Sequence, residues 1–261
     1  MDRQRMNAHA DELYKALRNA STVAPLTERE SDITVEDAYH ISRAMLDLRL
    51  ADGETVIGKK IGVTSKAVQN MLGVHQPDFG YLTDRMLATS DAPIEIAGNL
   101  IAPRAEGEIA FVLKRDLRGP GVTNAQVLAA TECVMPCFEV VDSRIRDWKI
   151  AIQDTVADNA SCGMFVLGDA MLDPRRVDLG TLGMVVERNG QIVSTGAGAA
   201  ALGSPVNCVA WLANTLGRFG IALEAGEVIL SGSLVPLQPV EPGDHMHLSV
   251  GGLGTASVRF I

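Results

Sequence analysis

Two glutamates one residue apart, Glu106 and Glu108, open the apolar run Ile109-Ala110-Phe111-Val112-Leu113. A third, Glu139, sits inside a second such run, Cys133-Val134-Met135-Pro136-Cys137-Phe138-Glu139-Val140-Val141. Residues two apart on an extended strand point to the same face, so Glu106 and Glu108 stand side by side with only Gly107 between them. Parallel carboxylates repel each other, and away from open water they require a cation, a shared proton or a basic partner. An isolated Glu-x-Glu is an ordinary solvated strand edge; a third acid in a similar apolar setting shifts that reading. Three carboxylates delivered from two strands, with no clustered His or Cys, describe an oxygen-ligand site for a hard divalent ion such as Mg2+ or Mn2+.

A second group of candidates lies upstream and downstream of the glutamates. In Thr55-Val56-Ile57-Gly58-Lys59-Lys60-Ile61-Gly62-Val63, period-two alternation puts Lys60 on one face with Gly58 and Gly62, and Lys59 on the other with Ile57, Ile61 and Val63. Glycines on both sides of Lys60 leave room for a ligand to approach the amine, although an edge-strand lysine also discourages aggregation. The loop Val74-His75-Gln76-Pro77-Asp78-Phe79-Gly80-Tyr81 has the mixture of a pocket rim, and its Pro-Asp-x-Gly is equally ordinary turn chemistry. The polar, small-residue stretch from 142 to 163 is longer than a plain connection needs. Within it, Asp158, Asn159 and Ser161 are candidates for substrate contact or its support, or for an Asx/ST-turn network that satisfies its own backbone.

The elements that must position these groups read as α+β. Leu13, Ala16 and Leu17 recur at helical spacing over 8–19, and Thr34-Val35-Glu36-Asp37 has the form of a capping box opening a helix to about Leu50. Thr64 or Ser65 caps a short helix that Gly73 stops, and Thr123 with Gln126 caps the helix between the two glutamate strands. Asn189-Gly190 turns a two-residue hairpin, Ser204-Pro205 opens a helix to Gly217 or Gly220, and strands over 227–230, 247–250 and 256–260 close the chain. Gly196-Ala197-Gly198-Ala199-Ala200-Ala201 formally meets a dinucleotide-binding pattern, but its preceding strand belongs to a hairpin, so it reads as a tight loop near the pocket. His245 and His247 share a strand face without a third ligand nearby, which suits a polar face better than a metal site. Regular strand-helix alternation is missing, so the β core is antiparallel or mixed. The expected organisation is a helical arm over 1–54 packed on a core over 55–261.

At 261 residues and 47% hydrophobic, the chain can bury a large core. A formal net charge of -9 argues against a nucleic-acid partner. Met1-Asp2-Arg3-Gln4-Arg5 leads into no apolar leader, and the small-residue stretch from Gly196 to Leu216 is broken by Pro205, Asn207 and Asn214, so neither export nor a membrane span is expected. Cys133, Cys137, Cys162 and Cys208 form no C-x-x-C pair and have apolar neighbours, as reduced thiols in a cytoplasmic protein do.

Taken together, Gly58-Lys59-Lys60-Ile61-Gly62-Val63-Thr64-Ser65, Gln76-Pro77-Asp78-Phe79-Gly80, the Glu106-Gly107-Glu108 strand, Phe138-Glu139-Val140-Val141-Asp142-Ser143-Arg144, Val156-Ala157-Asp158-Asn159-Ala160-Ser161, Ile229-Leu230-Ser231-Gly232-Ser233 and Pro242-Gly243-Asp244 resemble the hydratase/decarboxylase family of the fumarylacetoacetase superfamily. The resemblance spans nearly the whole chain. It implies a mixed β-sandwich roll with an N-terminal helical arm, a homo-oligomer, and Mg2+ or Mn2+ held by Glu106, Glu108 and Glu139. It further implies a small-molecule 2-hydroxydienoate substrate that takes up water, in the meta-cleavage degradation of aromatic compounds. In that chemistry Lys60 is the first choice for moving protons, its pKa pulled toward neutrality by a partly desolvated site. Asp78 would pair with it or order the attacking water, and Asn159 and Ser161 would orient substrate. The 4-oxalocrotonate decarboxylase branch of the family is the main alternative, and a complex with such a paralogue belongs to the same expectation. A C–C hydrolase is disfavoured because no His-Glu dyad is evident in the N-terminal half. A non-catalytic partner subunit is the alternative of another class.

Overall fold

The computed structural model describes residues 1–89 and 92–261, with the side chains of Ala67 and Met71 excepted. Three helices open the chain: α1 (Arg3–Arg18), α2 (Leu26–Arg29) and α3 (Val35–Ala51). The capping box at α3 forms as its residues require, with Thr34 Oγ1 accepting from Asp37 N–H at 3.1 Å and Asp37 Oδ2 accepting from Thr34 N–H at 3.0 Å. Leu13, Ile41 and Met45 of α1 and α3 bury together with Val156 and Ala157 from much later in the chain. The arm is therefore fastened to the polar segment that follows the Glu139 strand.

Two sheets make up the rest. The larger contains β1 (Val56–Gly62), β2 (Asp78–Thr83), β3 (Leu87–Ala88), β4 (Arg104–Leu113), β5 (Thr131–Val141), β6 (Cys162–Leu167), β9 (Val228–Leu230) and β10 (Gln238–Pro239), ordered β2-β1-β9-β4-β5-β6-β3 with β10 paired to β4. The smaller contains β7 (Gly183–Arg188), β8 (Gln191–Ala197), β11 (His245–Val250) and β12 (Gly254–Arg259), ordered β12-β11-β7-β8. Most pairs are antiparallel, but β1 with β9 and β3 with β6 are parallel, so the sheet is mixed, as the missing strand-helix alternation implies. Gly107 marks where the sheets press together: a Cβ there would strike the Met184 sulfur of β7 and come within 3.3 Å of Leu248 of β11. That contact explains a glycine between two glutamates. Its absent side chain faces the opposite sheet, while the acids face away from it.

Helices α4 (Lys66–Leu72), α5 (Asn124–Ala130), α6 (Ile152–Ala157) and α7 (Pro205–Gly217) fill the connections. Ser65 caps α4, and Gly73 ends it in a left-handed conformation at φ 65°. One expectation changes. The supposed loop over 74–81 is strand from Asp78 onward, because Gly62 and Lys60 pair with Asp78 and Gly80 across β1 and β2. Gly80 is glycine for tertiary rather than turn reasons, since a Cβ would lie 2.6 Å from the Asn159 carbonyl oxygen. All four cysteines are free and buried. His247 hydrogen-bonds Ser257 Oγ at 2.7 Å, consistent with a polar strand face. Among the described residues, no helix is long and apolar enough to cross a membrane.

Candidate active site

Strand alternation and register build the acidic centre. Glu106 of β4 lies directly opposite Glu139 of β5, and Glu108 follows two residues on, opposite Cys137. One carboxylate oxygen from each of Glu106, Glu108 and Glu139 lies within 4.8 Å of the other two. Glu108 and Glu139 are fully buried and Glu106 is half-buried. Glu108 Oε2 accepts from Gly232 N–H at 2.8 Å, whereas Glu108 Oε1 and both oxygens of Glu139 have no hydrogen-bond partner. Burial, with the Glu139 charge next, pushes the Glu106 carboxyl up to about 8 and drives Glu108 well above the usual carboxylate range. Buried oxygens without partners and carboxyls that resist ionising are what a three-carboxylate cluster looks like without its counter-charge. Three hard oxygen donors converging on one point fit a divalent ion of the Mg2+ or Mn2+ type.

Lys60 reaches this centre from β1. Its Nζ lies 3.1 Å from Glu139 Oε1, within ion-pair range but without hydrogen-bond alignment, and it donates to the Ala160 carbonyl at 3.1 Å. A Cβ on Gly62 would collide with Asp78 Oδ1 and lie 3.2 Å from Lys60 Nζ, so the bare glycine is what admits both charged groups to one spot. The lysine does not move toward neutrality as expected. Burial opposes its charge, but the carboxylates of Glu139 and Asp78 outweigh burial and hold the amine above its ordinary value. Burial raises the Asp78 carboxyl, with Lys60 opposing, and Asp78 Oδ1 has no partner. Lys59 takes the other face, where it is buried in an ion pair with Glu227.

The segment that closes over Lys60 is unusual in its backbone. Asn159, Ala160 and Ser161 all lie in the left-handed region, at φ 55°, 50° and 54°. Non-glycine residues pay an energetic cost there, and the run turns the Ala160 carbonyl onto Lys60. Asn159 is fixed by both ends of its amide, Oδ1 accepting from Tyr81 N–H at 2.8 Å and Nδ2 donating to the Tyr81 carbonyl at 2.9 Å, so it clamps β2 beside Asp78. Ser161 Oγ sits 3.1 Å from Thr155 Oγ1. Asp158 is drawn away from this group: Arg144 Nε donates to its Oδ1 at 2.6 Å, and both side chains are buried. Burial, opposed by Arg144, raises the Asp158 carboxyl to about 6. Breaking such a pair from one side costs roughly 3–5 kcal/mol, which marks a structural role.

A cavity of about 770 Å³ opens over these groups. Lys60, Asp78, Glu106 and Ser161 line it on the polar side, and Val63, Val68, Leu72 and Ile150 form an apolar wall. Asn159 and Asp158 do not line it. Thr155, Arg104 and Trp148 also line it and had not been singled out in the sequence. Arg104 had a legible signal, because it stands two residues before Glu106 on the same strand face. Trp148 had none, since its left-handed backbone at φ 55° is set by the fold.

This arrangement has close parallels. A 2-hydroxypent-2,4-dienoate hydratase from Pseudomonas putida is 74% identical over 222 residues, 85% of this chain and 100% of the relative. A 2-hydroxyhexa-2,4-dienoate hydratase from Comamonas testosteroni is 60% identical over 260 residues, covering 99% of this chain and 98% of the relative. Among solved structures, a 4-oxalocrotonate decarboxylase from Pseudomonas putida G7, complexed with magnesium and adipate, superposes with a TM-score of 0.97 at 38% identity, covering 100% of this chain and 99% of that one. Residues 56–261, which carry every acidic and basic group of the cavity described above, match the fumarylacetoacetate (FAA) hydrolase C-terminal family, and the chain belongs to that family.

Proposed function

We propose that this chain is a divalent-metal-dependent hydro-lyase that adds water to 2-hydroxypenta-2,4-dienoate to give 4-hydroxy-2-oxopentanoate. The observation that carries the reading is the convergence of three carboxylates, of which Glu108 and Glu139 are buried with unpartnered oxygens and Glu106 lines the cavity beside Lys60 and Asp78. The names borne by the similar hydratases supply the substrate class. Glu106, Glu108 and Glu139 would hold Mg2+ or Mn2+. When bound, the ion supplies Lewis acidity toward the oxygen at C2 and a template for the substrate's carboxylate end.

The chain's own residues then move the protons. The substrate gives up its 2-hydroxyl proton and gains one at C5, which makes an α,β-unsaturated ketone; water then adds its oxygen at C4 and a proton arrives at C3. Lys60 Nζ, kept charged by its carboxylate neighbours, is placed to donate a proton. Asp78 Oδ1, buried and unpartnered, is placed to accept one from water, and its raised pKa makes it the better base. Asn159 keeps Asp78 in place through the β2 backbone, and Ser161, braced by Thr155, faces the cavity where substrate is oriented.

The decarboxylase alternative requires a second, distal carboxylate to be accommodated. Arg144 is engaged with Asp158, Arg146 is exposed, and neither lines the cavity; Arg104, which does, shares the strand face of Glu106, so it stands at the glutamate end and leaves the apolar residues Val63, Val68 and Leu72 without a cation for a distal carboxylate. That favours the monoacid. The test is to offer 2-hydroxypenta-2,4-dienoate and 2-oxo-3-hexenedioate separately, with and without Mg2+, and follow products by NMR. The expected result is Mg2+-dependent 4-hydroxy-2-oxopentanoate from the first and no CO2 from the second. CO2 release without hydration would overturn the assignment, and turnover by the isolated protein would exclude a merely supporting subunit. The proposed enzyme also works as a homo-oligomer, as the resemblance to its family implies. A monomer by light scattering at micromolar concentration would remove that part.

A further inference from the structure

Arg104 was not required by any step above, yet it lines the cavity in a specific state. It is half-buried, it lines the cavity, and regular pairing of β4 with β5 through Arg104↔Val141 and Glu106↔Glu139 keeps it on the same face as the glutamates. Two strand residues separate neighbours on one face by about 6.7 Å, so Arg104 belongs to the end of the cavity where Glu106 sits. Its guanidinium lies over the Trp148 ring, 4.3 Å from the centroid. The indole is itself fixed, Trp148 Nε1 donating to the Ala102 carbonyl at 3.0 Å, on the segment leading into β4. Among the described residues, Arg104 forms no ion pair and its side chain makes no hydrogen bond. The other lining cation, Lys60, is already paired with Glu139, and the remaining charged lining groups, Asp78, Glu106 and Asp147, are acids.

Such a cavity repels an anion unless something on its wall attracts one. A guanidinium with one face covered by an aromatic ring keeps its in-plane N–H fork open, which matches the two oxygens of a carboxylate. We propose that Arg104, braced by Trp148, binds the carboxylate of the substrate and so decides which end of the molecule meets the three glutamates. This rests on the hydratase reading for the identity of the substrate, and on geometry alone for the choice of an anionic group. With the carboxylate at Arg104, the diene extends past Lys60 and Asp78 toward the apolar wall of Val63, Val68 and Leu72, which places its far carbons among side chains that cannot compete for protons.

The test compares wild type, Arg104→Met and Arg104→Lys on 2-hydroxypenta-2,4-dienoate with Mg2+. For Arg104→Met the expected KM rises by roughly 10–100-fold, the range for lost charge-assisted hydrogen bonds, with kcat falling less and Mg2+ affinity by calorimetry unchanged. Arg104→Lys, which keeps the charge and loses the fork, should lie between the two, and it carries the test if the methionine variant does not fold. A second arm uses 2-oxobutanoate and its methyl ester as probes of the Mg2+-loaded proteins. The preference of wild type for the acid should shrink by a similar factor in Arg104→Met. An unchanged KM and an unchanged acid-to-ester preference would overturn the proposal, as would a loss confined to a diacid substrate. If wild type does not hydrate the dienoate, the hydratase reading fails, while the acid-to-ester comparison still decides the role of Arg104.

Discussion

Glu106→Gln is expected to lower Mg2+ affinity by at least about 100-fold and to take activity down with it, while leaving the fold intact. The substitution is nearly isosteric and removes one charge from a set of three whose oxygens lie within 4.8 Å of one another. Loss of an outer-sphere partner alone commonly costs 10–100-fold in metal affinity, so roughly 100-fold is a floor for a direct ligand. The metal-free protein should be no less stable than wild type, because burial and the Glu139 charge already oppose ionisation of Glu106 and the amide is neutral throughout. The two effects separate in thermal melts. Wild type should gain stability with Mg2+, by about 2.7 kcal/mol when the ion is at one hundred times its Kd, and lose that gain with chelator. At the same Mg2+ concentration the variant should gain no more than about 0.4 kcal/mol. If it keeps full Mg2+ affinity in a calorimetric titration, Glu106 is not a ligand.

The acidic centre was legible because it depends on nothing but strand alternation and a second apolar run carrying Glu139. The same rule separated Lys60 from Lys59, and the structure places them on opposite faces with different partners. Capping signals located α3, α4 and α5 through Thr34, Ser65 and Thr123, and Pro205 in the first turn located α7, where the Ser204 side chain makes no capping hydrogen bond. Legibility failed where a distant contact dictates the residue. Gly80 and Gly107 look like turn or spacer glycines, but each answers a neighbour far away in sequence. The stretch from 142 to 161 resisted reading for a related reason. Its helix α6 is six residues long, too short to show periodicity, and the left-handed run over 159–161 contains no glycine and extends through Ala160, where no local signal asks for it. Asp158 looked like a pocket acid because nothing local reveals that Arg144, fourteen residues earlier, folds back onto it.

Lys60→Ala is expected to lower kcat by roughly 10²–10⁴-fold, the span for a positioned proton-transfer group, with metal binding retained. Retention follows from charge. The variant removes a cation 3.1 Å from Glu139 Oε1, so a divalent ion no longer shares that carboxylate with an ammonium group. Lys59→Ala supplies the control, because it is one residue away and equally buried. Its amine pairs with Glu227 on the opposite face, so its loss strands a buried carboxylate and should cost several kcal/mol of stability while kcat per folded molecule stays within a few-fold of wild type. Melting temperature and kcat should therefore move in opposite patterns: Lys60→Ala folded and nearly inactive, Lys59→Ala destabilised and active. A methionine at position 60 refines the contrast, since it fills the space beside Gly62 without a proton to give, and should be as slow as alanine. If both lysine variants lose the same factor in kcat while folded and Mg2+-loaded, the proton does not come from Lys60. Its amine would then serve only to balance Glu139 and to hold the Ala160 carbonyl.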